Sequence, residues 1–108
     1  MNDFDFDEMK KNQSIAKEKK LVLFNGRGYR SGEHLYIAAK NRSDAARMLC
    51  LVYPHVSFNQ WIREIKDYFS KDCWGVSMNG IEPCRGIWIE KNADNSSHKI
   101  EVLYAGTV

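Results

Sequence analysis

The chain has 108 residues, 16 Lys plus Arg against 14 Asp plus Glu for a net charge of +2, and 44% hydrophobic residues. That length fits one domain with little room for a second core, and the apolar content excludes a wholly disordered chain. No apolar run approaches the roughly 20 residues of a membrane span, and the acidic start through Asp3, Asp5 and Asp7 lacks the basic-then-apolar pattern of a signal peptide, so a non-secreted chain without a membrane partner is expected.

Residues 1–20 form a charged arm. Asp3, Asp5, Asp7, Glu8 and Glu18 cancel Lys10, Lys11, Lys17, Lys19 and Lys20, the acids first and most lysines later. With few large apolar residues beyond Phe4, Phe6, Met9 and Ile15, the arm is expected to be a frayed tail or a weakly docked helix over 7–19. Residues 21–108 then make a single domain.

Leu21-Val22-Leu23-Phe24 reads as a buried strand ended by the turn pair Asn25-Gly26. A Gly-rich loop through Gly26, Gly28 and Gly32 leads into a second strand, Glu33 to Ala39, antiparallel to the first. Ser43 is placed to cap a helix in which Ala45, Met48, Leu49 and Val52 share one face, and Pro54 ends that element. Ser57 with Gln60 forms a capping box for a helix over about 58–69, whose apolar side carries Trp61, Ile62, Ile65, Tyr68 and Phe69. Arg63, Glu64, Lys66 and Asp67 occupy its solvated side. After an irregular stretch from Trp74 to Pro83, strands are expected over 85–90 and 99–104, separated by a polar turn. The order β-β-α-α-β-β implies an α+β fold, a four-stranded, mainly antiparallel sheet with two helices packed on one face. Its open edge leaves room for a homodimer.

Cys50, Cys73 and Cys84 are odd in number and lack CxxC spacing, which favours a reducing compartment and structural thiols over a disulfide framework. Cys73 and Cys84 with a histidine would be the one route to zinc, but His34, His55 and His98 are scattered, so neither metal nor cofactor is expected. No GxSxG or HExxH spacing joins a histidine to a nucleophile, and catalysis is not expected either.

Two constellations suit binding. Arg27, Tyr29 and Arg30 stand in the Gly-rich loop, where arginines can grip a carboxylate or phosphate; the loop leads into a strand and matches no nucleotide fingerprint. Trp74 and Arg85 flank a Gly- and Pro-containing segment that is either a packed cover for the core or a surface hot spot with these two as anchors. Residues 26–47 carry a local charge of +3, from Arg27, Arg30, Lys40, Arg42 and Arg47 against Glu33 and Asp44, interleaved with Tyr29 and Tyr36. That pattern makes a nucleic-acid-binding module the alternative function.

The segments His34-Leu35-Tyr36-Ile37-Ala38-Ala39, Ser43-Asp44-Ala45-Ala46-Arg47 and Trp74-Gly75 through Pro83, Arg85-Gly86-Ile87-Trp88 resemble small uncharacterised proteins of phages and mobile elements, over roughly residues 21–90. Compact size and an α+β core are also similar to anti-CRISPR and other anti-defence proteins. The resemblance implies a non-enzymatic inhibitor in the host cytoplasm that occludes a host protein or ribonucleoprotein complex. Arg27, Tyr29, Arg30, Trp74 and Arg85 are then the expected contacts.

Overall fold

The computed structural model describes residues 6–28, 32–72, 74, 81–91 and 99–106. In them the elements run α1 (Phe6–Glu18), β1 (Val22–Arg27), β2 (Glu33–Ala39), α2 (Arg42–Val52), α3 (Phe58–Tyr68), β3 (Ser70–Asp72), β4 (Gly86–Lys91) and β5 (Lys99–Ala105). The α+β class is as expected, but the sheet has five strands in the order β3-β1-β2-β4-β5, every neighbouring pair antiparallel. The added strand β3 pairs Leu23 with Asp72 and Asn25 with Ser70. Its sequence, Ser-Lys-Asp, carries no apolar alternation, so backbone pairing with β1 defines it and side-chain pattern does not. None of the helices in the described residues is long and apolar enough to cross a membrane.

Strand alternation divides the core in two. On one face Phe24, Leu35, Ile37, Ala39, Ile87 and Ile89 meet Ala45, Met48 and Leu49 of α2 and Trp61 and Ile65 of α3. This is the helix-covered face that the sequence predicts, with one difference: Tyr68 points to solvent. On the other face Leu23, Ala38 and Trp88 are covered by Ala16 of α1, Leu21, Trp74 and Ile81. The charged arm is therefore in part a docked helix, and it supplies cover that two helices on one face would not.

Local chemistry explains the boundaries. Asn41 caps α2, accepting a 2.8 Å hydrogen bond from the Asp44 amide, so the helix begins before Ser43 and Asn41 takes the role expected of Ser43. Ser57 caps α3 by accepting from the Gln60 amide at 3.1 Å. Helix α1 ends without a glycine: Leu21 N–H donates to Ala16 O, Lys20 N–H donates to Lys17 O, and Lys20 sits at φ 56°. This is the Schellman arrangement, completed by the apolar contact of Leu21 with Ala16 in one cluster.

Asn25-Gly26 does not turn the chain. Strand β1 continues through it, pairing Asn25 with Tyr36, Gly26 with Leu35 and Arg27 with His34. Gly26 is needed there for space, since a Cβ would lie 2.5 Å from Cγ of Phe69. The ring of Phe69 fills what would otherwise be a side-chain position on the strand. The reversal comes later, where Gly28 N–H donates to Glu33 O at 2.8 Å and Gly32 adopts φ 82°.

Candidate functional site

The pairing register builds a lateral row across the second face at the turn end of β1 and β2. Arg27 stands opposite His34, and His34 opposite Glu90, which in turn faces Ile100. One step along, Asn25, Tyr36, Trp88 and Val102 form the next row on the same face. Trp88 is buried under the cover formed by Trp74 and Ile81, whereas Asn25, His34, Tyr36, Glu90 and Ile100 are half-buried and Arg27 and Val102 are exposed.

Hydrogen bonds fix this surface. His34 Nε2 lies 3.1 Å from Asn25 Oδ1; a carbonyl oxygen only accepts, so the ring donates through Nε2. Tyr36 donates its hydroxyl to Glu90 Oε1 at 3.0 Å, and the His34 and Tyr36 rings lie 4.8 Å apart in a tilted contact. The result is a braced platform of two aromatic rings across three strands, with Arg27 at one margin and Val102 near the other. Arg27 makes no ion pair with a described residue.

The two residues expected to anchor the other constellation are turned inward. Trp74 is only 8% exposed and donates its indole N–H to Leu21 O at 3.3 Å, while its own carbonyl accepts from Gln13 Nε2 at 2.7 Å. It packs as cover over the second cluster, in keeping with the packed one of the two readings. Arg85 is held by Asp44. Its Nε donates to Oδ2 at 2.9 Å and its second terminal nitrogen donates to Oδ1 at 2.6 Å, with side chains 21% and 13% exposed. The same Oδ2 accepts from the Lys40 amide at 3.0 Å. Hydrogen bonding from Arg85 therefore holds the Asp44 carboxyl below its ordinary value against the opposing effect of burial, and Asp44 in turn raises Arg85. Arg85 is a clamp between the start of β4 and the start of α2.

Tyr29 and Arg30 lie outside the described residues, as does Cys73. Cys84 is half-buried, and desolvation followed by the Glu82 charge pushes its thiol up, away from the thiolate that a nucleophile or metal ligand needs. The basic stretch 26–47 is divided by β2: Arg27 stands at one end of the strand, and Lys40, Arg42 and Arg47 follow the other, about 20 Å away along the chain direction. Arg47 further lies over the Phe58 ring at 6.0 Å.

His34, Asn25 and Glu90 belong to the platform although the sequence pattern singled out none of them as a binding contact. The signal was the shared parity of Asn25 and Arg27 on one strand with His34 and Tyr36 on the next, which becomes legible only once β1 is known to pass through Asn25-Gly26. No protein-family model, curated protein or solved structure matches the chain. The geometry of the platform carries the functional reading.

Proposed function

We propose that the chain is a non-enzymatic binding protein that docks a partner protein on the Arg27 end of its second sheet face. The observation that supports this is Arg27, exposed and without an ion-pair partner among the described residues, at the margin of a face that also exposes Val102. An acidic side chain of the partner would take the guanidinium bidentately, and the His34–Tyr36 rings and Val102, 57% exposed, would supply buried area. A protein partner is favoured over nucleic acid because, of the described basic residues in 26–47, Arg27 stands at one end of β2 and Lys40, Arg42 and Arg47 follow the other, where a phosphate backbone asks for a continuous track. In the form suggested by the resemblance to phage and anti-defence proteins, the partner is a host complex and binding inhibits it by occlusion.

Affinity capture from host lysate with the wild type and with Arg27→Glu/Val102→Asp tests the reading. The wild type should retain a discrete protein complex that the double variant loses while keeping its melting temperature. Equal capture by both would place the contact elsewhere, and retention of nucleic acid alone, with a steep salt dependence, would replace the protein reading by the nucleic-acid one.

A further inference from the structure

On the helix-covered side of the same end of the sheet, a cavity of about 190 Å³ is bordered by Arg27, Gly28, Val56, Gln60, Trp61 and Glu64. Trp61 is 5% exposed, and its indole N–H is buried without a hydrogen-bond partner. Native proteins rarely leave such a donor buried without a reason. Three neighbours at the cavity also have unused capacity. Arg27 and Glu64 carry opposite charges yet lie too far apart to pair, and neither pairs with another described residue. Gln60 follows the capping serine by three residues, but only its backbone bonds to Ser57; the reciprocal side-chain bond of a capping box is not made.

A cation, a buried neutral donor, an amide and a carboxylate around one small space are complementary to a molecule bearing both charges. We propose that this cavity binds a small zwitterion of the α-amino-acid type. Its carboxylate would lie toward Arg27 and the Trp61 N–H, its ammonium toward Glu64, and a short aliphatic side chain against Val56. The volume corresponds to about six waters, which suits a molecule of that size and is too small for a nucleotide. Arg27, at the last pair of β1 and β2, borders both this cavity and the partner surface, so its guanidinium serves only one occupant at a time.

The test is a titration of the 15N-labelled full chain with L-valine, followed through the indole N–H resonance of Trp61, which is assigned by its loss in Trp61→Phe. Isovalerate and isobutylamine serve as the same skeleton lacking one charge each. A saturable shift with valine is expected, weakened about tenfold or more by Arg27→Ala, by Glu64→Gln and by removal of either ligand charge. The remaining resonances report that each variant is folded. No saturable shift with valine, or isovalerate matching valine while Glu64→Gln has no effect, overturns the proposal. Glu64→Gln lies in the cavity and not on the platform, so its unchanged capture of a partner protein would keep the two readings separable.

Discussion

Two arginines and two tryptophans of this molecule stand in opposite states: Arg85 and Trp74 are engaged within the chain, while Arg27 and Trp61 border one cavity with donors left over. Arg85 and Trp74 both find acceptors within the chain: the guanidinium donates to both oxygens of Asp44, the indole N–H to the Leu21 carbonyl. Around Arg27 and Trp61 the guanidinium has no described ion-pair partner and the indole N–H has no acceptor. Residue type is the same in both, so composition cannot tell a structural clamp from an interaction site. What differs is whether the fold brings an acceptor to the donor. Stability should therefore concentrate in the first region and binding in the second.

The sharpest way to break that contrast is to remove each arginine in turn. Arg85→Ala leaves Asp44 largely buried with only the Lys40 amide, and should cost about 2–3 kcal/mol in urea unfolding. Arg27→Ala should change stability by no more than about 0.5 kcal/mol, as exposed unpaired side chains do. Comparable losses in the two variants would erase the distinction.

Acid acts on the same clamp. Because Asp44 is held below its ordinary value of 3.8, its contribution is fully present above that value and is lost as pH falls through the lower, folded-state value. The melting temperature of the wild type should therefore drop more steeply below about pH 4 than that of Arg85→Ala, where the cause of the depression is gone. Parallel acid profiles for the two proteins would show that the pair does not couple protonation to folding.

The tryptophans give a smaller difference. Trp74→Phe removes a made hydrogen bond as well as ring volume, whereas Trp61→Phe removes ring volume and an orphaned donor together. Trp74→Phe should be the more destabilising by about 1 kcal/mol. The reverse order in denaturant titrations would mean that the Trp61 N–H is satisfied in solution.

Much of the scaffold was legible because periodicity is a local property. The α2 positions Ala45, Met48 and Leu49, the Ser57 cap and the alternation of β4 follow from spacing alone, and the structure places them accordingly. The misread features depend on partners distant in sequence. Asn25-Gly26 is a turn pair by local preference but lies in a strand because it pairs with Tyr36 and Leu35 of β2, with Phe69 filling the space a Cβ would need. Strand β3 exists only by pairing with β1, and Trp74 is buried and Arg85 engaged because Leu21, Gln13 and Asp44 reach them across 41 to 61 residues of chain. Of the candidate site, Arg27 was read from the sequence. His34, Tyr36 and Glu90 became a unit only through the register.

The smallest predicted effect bears on how the satisfied region is assembled. The Leu21 carbonyl that accepts from Trp74 is delivered by the turn ending α1, and that turn forces Lys20 into the left-handed region at φ 56°. An L-residue there costs roughly 1 kcal/mol or more, which glycine avoids, though glycine also gains freedom in the unfolded chain and loses a lysine charge that suits a helix C-terminus. Lys20→Gly should consequently stabilise the protein by about 0.5–1 kcal/mol while leaving binding at the Arg27 end unchanged. A neutral or destabilising result by thermal unfolding would mean that α1 and its turn are not part of the cooperative fold. The cover over Trp74 would then open separately from the sheet beneath it.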